Sequence, residues 1–150
     1  LADGCLRQGA VGLARLLVAG EQPAAEALQN LMRVVSGKIL SVFGKGAKSI
    51  QVSTATIGIR GTGCYIEAEE ARTYFCLCYG EAEVVPKGDP KQKETIQTRH
   101  HEHPIYIGAA GSKMMAPAAV INHTDAELIL LENSVGRWPP FYDGQGGSRY

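Results

Sequence analysis

The sequence predicts an all-β domain, built as a sandwich of stacked strands or as a short β-solenoid, with a helical N-terminal segment and one C-terminal helix. From Val34 onward, apolar and polar residues alternate, which is the period of a half-buried strand. The 18 glycines fit many turns between such strands. A faint repeat indicates stacked strands, because the glycine, strand, Lys-Gly turn and strand of residues 37–51 recur in residues 80–97.

Three parts of the chain follow from these patterns. Residues 1–32 form a helical N-terminal segment, residues 33–122 form the β domain, and residues 123–150 form a capping helix with an extended aromatic tail. Apolar residues of the first part recur at helical spacing, at Leu6, Ala10, Leu13, Leu16 and Leu17. We expect this segment either to pack its apolar stripe on the β domain or to dock on another copy of the protein.

The β domain contains six predicted strands. Alternation and turn residues place them at Val34–Phe43, Ser49–Thr54, Thr56–Glu67, Thr73–Val85, Thr95–Thr98 and Pro104–Ile107. An acidic turn at residues 68–71 joins the third strand to the fourth, and residues 108–117 form a loop rich in glycine, alanine and serine.

A helix is clearly marked after these strands. Thr124 and Glu127 form a capping box, in which each side chain satisfies a free backbone amide of the first turn. The helix has an apolar stripe made of Leu128, Leu131 and Val135. Gly136 ends the helix. The prolines at 139 and 140 exclude helix, so the last residues form an extended tail or an aromatic clasp over the core.

The charge balance argues against a nucleic-acid partner. Lysine plus arginine and aspartate plus glutamate number 15 each, so the formal net charge is zero, whereas phosphate binding needs a basic excess or stripe. A neutral domain repels its own copies weakly, which favours self-association. No apolar run reaches about 18 residues, so no transmembrane helix is predicted, and no signal peptide is visible in the chain.

Three of the four cysteines lie in two neighbouring predicted strands. Cys76 and Cys78 share one face of their strand. Cys64 falls opposite Cys76 if residues 69–71 form the turn, and opposite Cys78 if the turn lies one residue later. The cysteines therefore predict a cross-strand disulfide from Cys64 to Cys76 or Cys78, a metal-binding thiolate cluster, or three buried small apolar residues.

The histidines form a second candidate group. In an extended chain, His101 and His103 point one way and His100 points the other way. Together with His123 they can bind Zn or Cu, since imidazole suits both metals. The alternative is surface or hydrogen-bonded histidines. A mixed Cys/His site requires the cysteine face to meet the histidines, which the sequence does not show.

Enzyme templates do not fit. Residues 44–49 lack the first glycine of a phosphate loop, residues 58–63 have glycines out of register for a dinucleotide site, and no Gly-x-Ser-x-Gly elbow occurs. Asp125 and Glu127 are adequately explained by helix capping. We therefore predict no catalytic residues and no enzymatic activity.

Residues 53–62, Ser-Thr-Ala-Thr-Ile-Gly-Ile-Arg-Gly-Thr, resemble the core motif of FecR-domain proteins. The resemblance covers roughly residues 34–97. Four further segments are similar to a Cys/His-bearing branch of such proteins: residues 74–80, His100-His101, residues 122–128 and residues 136–141. Four residues of the core motif are predicted to be structural: Gly58, Arg60, Gly61 and Thr62. Ile57 and Ile59 alternate into the core, and the glycines allow a bulge.

The resemblance implies an exported domain, periplasmic or extracellular, that is not an enzyme. Members of the family pass a receptor signal to a sigma-factor system or serve as periplasmic binding or scaffold modules. Since this chain shows neither a transmembrane helix nor a cytoplasmic anti-sigma part, we do not expect the transmembrane signalling role here.

Two functions are therefore expected. The first is a non-enzymatic scaffold, self-assembling protein or signalling module that acts through protein contacts, with oligomers formed by residues 1–32 or by edge strands. The second is a metal- or redox-responsive periplasmic binding protein that uses the cysteines and histidines, with Zn or Cu as the ion.

Overall fold

A computed structural model describes residues 30–144 of the protein. In that range, eight strands form one open sheet, and a single α-helix follows them. The strands are β1 (Leu31–Arg33), β2 (Gly37–Val42), β3 (Ala47–Gln51), β4 (Ala55–Ala68), β5 (Arg72–Pro86), β6 (Glu94–Thr98), β7 (Ile105–Gly108) and β8 (Met115–Pro117). A 3-10 turn covers Pro90–Gln92, and helix α1 covers Asp125–Ser134. The all-β class with a C-terminal helix is confirmed.

Several predicted boundaries shift. The predicted helical segment lies mostly in residues 1–29, outside the described residues, while Leu31 and Met32 at its end belong to β1. The strand predicted at Val34–Phe43 is β2, which begins at Gly37 and ends at Val42, and the predicted loop at residues 108–117 ends in the short strand β8. None of the helices in residues 30–144 has the length and apolar character that a membrane crossing requires.

The long hairpin of β4 and β5 is the frame of the sheet. The two strands pair from Ala55 with Pro86 to Ala68 with Thr73. Each strand changes its outer neighbour halfway along: β4 pairs first with β3 and then with β2, and β5 pairs first with β7 and then with β6. This antiparallel arrangement corresponds to the sandwich-like alternative of the prediction.

The exchange of neighbours occurs at a bulge that depends on glycine. The pairing of β4 with β5 shifts around Gly63, and Gly61 and Gly80 have φ values of +52° and +100°. A Cβ atom on Gly80 would lie 2.7 Å from Thr62 Cγ2 and 2.8 Å from the Gly61 carbonyl oxygen. Gly80 is therefore required both by its backbone conformation and by the closeness of β4.

The core motif lies at this bulge. Ile57 and Ile59 are buried, as alternation predicts, whereas Arg60 is exposed. Thr62 is fully buried, and its hydroxyl has no hydrogen-bond partner among the described residues. Around Gly58 there is room, since an added Cβ would meet its nearest atom at 4.0 Å. The motif thus contributes to the core and to the bend of the hairpin.

Alternation along the two long strands produces two apolar clusters. The main core contains aliphatic residues and Phe75, with Ile50, Ile57, Ile59, Ile66, Leu77, Val84 and Ile107 fully buried or nearly so. The second, which we call the tyrosine cluster, consists of Tyr65, Tyr74, Cys76, Cys78, Tyr79 and Leu128. Because Leu128 belongs to α1, the helix packs on the tyrosine cluster.

Helix α1 begins with the predicted capping box. Thr124 Oγ1 accepts from the Glu127 amide, and the Glu127 carboxylate accepts from the Thr124 amide at 2.8 Å. The predicted apolar stripe is only partly correct, since Leu128 is buried but Val135 is 55% exposed. The helix instead buries Glu132, whose carboxylate accepts from the Tyr79 hydroxyl and from Arg137 Nε at 2.6 Å.

In the tail after α1, Phe141 packs on the tyrosine cluster as the predicted aromatic clasp would. The Phe141 ring lies 4.5 Å from the His100 ring in a stacked arrangement and 5.9 Å from the Tyr79 ring edge-on. Trp138 stacks on Tyr142 at 4.1 Å and is 56% exposed. Phe141 thus closes one side of the tyrosine cluster.

Candidate metal centre

Two thiols of β5 form the floor of the site. Cys76 and Cys78 are two residues apart, so their side chains leave the strand on the same face, and both are fully buried. Both are free thiols in the tyrosine cluster. The prediction that these two cysteines share a face is confirmed.

The third predicted cysteine lies on the other face of the sheet. Cys64 pairs with Leu77, and Tyr65 pairs with Cys76, because the turn is closed by the Glu69 amide and the Arg72 carbonyl. A register change of one residue moves a side chain to the opposite face. The predicted pairing of Cys64 with Cys76 or Cys78 is therefore wrong, and Cys64 is a buried free thiol of the main core, where burial raises its pKa to about 12.

His101 reaches the thiols from the loop between β6 and β7. Its φ of +53° is in the left-handed region, which is rare for a residue other than glycine. Its amide donates to the Cys78 carbonyl at 3.0 Å, which fixes the loop on β5. The side chain is 8% exposed, with Nδ1 at 3.4 Å from Cys76 Sγ and Nε2 at 3.0 Å from Asp125 Oδ1. Strain of this kind is common at functional sites.

His123 reaches the thiols from the residue before the N-cap of α1. Its ring is stacked on Tyr65 at 4.6 Å, and the residue is 7% exposed. Nδ1 lies 2.6 Å from the Ile121 carbonyl oxygen, and Nε2 lies 3.6 Å from Cys78 Sγ. The Nε2 atom also lies 3.1 Å from His101 Nδ1, so the two rings meet over the thiols.

The hydrogen bonds of the two rings determine where their lone pairs point. A carbonyl oxygen only accepts, so His123 Nδ1 carries a proton toward Ile121. The carboxylate of Asp125 likewise accepts from His101 Nε2. In the neutral rings, the remaining nitrogens are both acceptors. Two acceptors 3.1 Å apart require a cation between them, either a proton or a metal ion.

The four ligand atoms lie close enough together to surround one metal ion. The Sγ atoms of Cys76 and Cys78, His101 Nδ1 and His123 Nε2 all lie within 4.8 Å of one another. Tetrahedral zinc, with Zn–S of about 2.3 Å and Zn–N of about 2.05 Å, separates S from N by about 3.6 Å and N from N by about 3.3 Å. Three of the six edges, two S–N distances of 3.4 and 3.6 Å and the N–N distance of 3.1 Å, are close to these values. This group, which we call the Cys/His cluster, can hold a metal ion.

The surroundings of Cys76 favour its thiolate form. The neighbouring Cys78 thiol lowers the pKa of Cys76 to about 4 despite burial, and the nearby rings of His101 and His123 add to this. Burial and the neighbouring Cys76 raise the pKa of Cys78. Burial opposes the charge on His101, but hydrogen bonds with Cys76 and Asp125 raise its pKa overall. Without a metal, both shifts favour an ion pair between a Cys76 thiolate and a protonated His101.

The other predicted ligands lie outside the cluster. His100 is about one-third exposed, and its Nε2 contacts Asp125 Oδ2 at 2.7 Å instead of a thiol. His103 is exposed and takes no part. Asp125 was missed by the sequence reasoning, which assigned it to helix capping alone, although its carboxylate contacts both His100 and His101. The available signal was its position two residues after His123.

Comparisons with known proteins do not identify a family. No protein-family model matches the chain, and no curated protein matches it, so the FecR resemblance stays a prediction. Among solved structures, the chain is similar to a candidate anti-sigma factor from Parabacteroides distasonis, with a TM-score of 0.46 and 12% sequence identity. The match covers 69% of this chain and 57% of that protein.

Proposed function

We propose that this protein is a non-enzymatic metal-binding β domain in which the Cys/His cluster holds one Zn²⁺ ion. The observation that carries the proposal is the convergence of two imidazole lone pairs on two buried thiols, with all four ligand atoms within 4.8 Å of one another and three of their distances close to the edges of a tetrahedral zinc site. The hydrogen bonds from His101 to Asp125 and from His123 to Ile121 are the outer contacts that metal-binding histidines usually make.

Charge and ligand type favour zinc. Two thiolates neutralise the two positive charges of Zn²⁺, so the buried centre would carry no net charge, which limits the electrostatic penalty of burial. A set of two cysteines and two histidines in tetrahedral arrangement is typical of structural zinc. Cu⁺ also binds thiolates and imidazoles and is the main competitor.

A non-enzymatic role agrees with the closed ligand set. Catalytic zinc sites keep one position for water or substrate, whereas four protein ligands leave none. The ligand residues are also almost inaccessible to solvent, with Cys76 and Cys78 fully buried and His123 only 7% exposed. We therefore assign the ion a structural or regulatory role.

Metal content and its dependence on each cysteine test the proposal. We expect about one equivalent of zinc per purified chain by mass spectrometry of the metals, lost in both Cys76→Ser and Cys78→Ser. Cys64→Ser is the matched control, because Cys64 is an equally buried free thiol on the opposite face of the sheet, and it should keep the metal. Substitution of zinc by Co²⁺ should produce the visible absorption of a tetrahedral centre with thiolate ligands.

Two outcomes would overturn the proposal. One is wild-type protein with reduced thiols that takes up no zinc from solution. The other is a bound ion that survives both Cys76→Ser and Cys78→Ser. Stoichiometric copper in place of zinc would overturn the choice of metal and keep the site.

The protein-contact role and the exported location remain predictions. A concentration-dependent oligomer in size-exclusion chromatography with light scattering, lost on deletion of residues 1–32, would support the first. Detection of the natural protein in a periplasmic or secreted fraction would support the second.

A further inference from the structure

We infer that the metal ion fastens helix α1 and the aromatic segment after it to the sheet, so that metal occupancy regulates whether the tyrosine cluster is covered. The inference rests on the proposed function and adds the regulation of the same site. It follows from the origin of the ligands, because two come from the middle of the sheet and one comes from the entry to the helix.

The ligands come from two elements that are far apart in the sequence, the strand β5 and the start of helix α1. Cys76 and Cys78 belong to the central strand β5, whereas His123 directly precedes Thr124, the N-cap of α1. An ion bound to all of them fixes the start of the helix relative to β5. Asp125, the first residue of α1, accepts from His101, and this adds a second connection from the helix to the same ion.

The same carboxylate extends the connection to the tail. Asp125 also contacts His100 through its second oxygen at 2.7 Å, and the His100 ring is stacked on Phe141 at 4.5 Å. The Phe141 ring in turn contacts Tyr79 of the tyrosine cluster. Displacement of His101 and Asp125 would therefore disturb the contact that holds Phe141 over this cluster.

Apart from the cluster, α1 is attached to the sheet by its buried side chains, with Glu132 accepting a hydrogen bond from Tyr79 of β5. The helix has ten residues, a length that is marginal without tertiary contacts. Its buried residues are Asp125, Leu128 and Glu132, so Leu128 is the fully buried apolar contact of the described helix. Leu130 on the outer side is 70% exposed. The ion would thus be a major attachment of α1, and local opening of the helix should be sensitive to it.

Hydrogen exchange on the full chain tests the inference. The amides of α1 are compared with those of β4 in protein loaded with Zn²⁺ and in protein treated with a chelator. At free zinc about 100 times the dissociation constant, opening that requires loss of the ion should be suppressed about 100-fold. We expect faster exchange in α1 after chelation and little change in the interior of β4.

The single tryptophan provides a second measurement. Trp138 lies four residues after the helix and stacks on Tyr142, so quenching of its fluorescence by acrylamide should increase when zinc is removed. Cys78→Ser should resemble the metal-free protein. Asp125→Asn keeps all four ligands but replaces the carboxylate that orients His101, so its zinc affinity should fall by about 10- to 100-fold. When this variant is saturated with zinc, it should still show faster exchange in α1. Cys64→Ser should behave as wild type.

The outcomes separate the inference from the proposed function. Stoichiometric zinc with equal exchange in α1 before and after chelation would overturn the inference and leave the metal site intact. Failure to bind zinc would overturn both. Equal loss of protection in α1 and β4 after chelation would also overturn the inference, because the ion would then support the whole fold instead of the attachment of the helix.

Discussion

Two glycines with nearly the same φ angle allow the tightness of the central bulge to be measured. Gly37 and Gly80 have φ values of +102° and +100°. A Cβ on Gly37 would meet nothing within 4 Å, whereas a Cβ on Gly80 would lie 2.7 Å from Thr62 Cγ2. Alanine at either position strains the backbone by about 1 kcal/mol, but only at Gly80 does overpacking add about 2 kcal/mol. We expect losses of about 1 kcal/mol for Gly37→Ala and about 3 kcal/mol for Gly80→Ala.

Thermal and urea denaturation of the two variants check this expectation. With an unfolding entropy of about 2.1 cal/mol/K per residue, residues 30–144 give roughly 0.24 kcal/mol/K, so the difference of about 2 kcal/mol is about 8 °C in Tm. Gly37→Ala is the matched control, since it carries the backbone strain without the contact. Free energies of unfolding that agree within about 0.5 kcal/mol for the two variants would refute the steric argument.

Three further changes test separate contacts. Arg137→Met leaves the buried Glu132 carboxylate without its charged partner and should destabilise the protein by about 2 kcal/mol in urea denaturation, a value reduced for the partial exposure of the arginine. Leu128→Ala removes a fully buried side chain of α1 and should lower the free energy of unfolding by about 3 kcal/mol in the same assay. A decrease below about 1 kcal/mol would contradict the packing of the helix on the sheet. A hydrogen bond from Asn122 lowers the pKa of Glu67, so in metal-free protein the stability advantage of wild type over Glu67→Gln should be full above about pH 4.3 and fade as the pH falls below it. Urea midpoints at about pH 7 and about pH 3 measure this, and an equal difference at both would count against the hydrogen bond.

Much of the fold could be predicted because it depends on local signals. Residues close together in the sequence determine the alternation of β4 and β5, the acidic turn between these strands and the capping box at Thr124. The helix stripe was predicted less well, since Val135 is exposed while Glu132 is buried. A buried carboxylate depends on Tyr79 and Arg137, and the contact with Tyr79 crosses 53 residues of chain.

The sequence predicts the residue types of the site, cysteine and histidine, but not which of these residues belong to it. Cys76 and Cys78 could be placed together because residues two apart share a strand face, whereas Cys64 depended on a turn whose length the sequence leaves open by one residue. The part played by His101 depends on a left-handed backbone that no spacing rule predicts. The sequence did not indicate a role for Asp125 in the site, because an acidic residue in the first turn of a helix is already explained by its favourable interaction with the helix dipole.

The long hairpin also has a consequence for the order in which the protein folds. Its pairs span between 5 and 31 residues of chain, from Ala68 with Thr73 to Ala55 with Pro86, so it can close from its turn with small losses of loop entropy. Closure of β5 brings both thiols of the cluster to one face before either histidine arrives. His123 lies 45 residues beyond Cys78, and β6, β7 and β8 lie between the two in the chain. Metal affinity should therefore develop late in folding, as a sign that the rest of the sheet has already assembled.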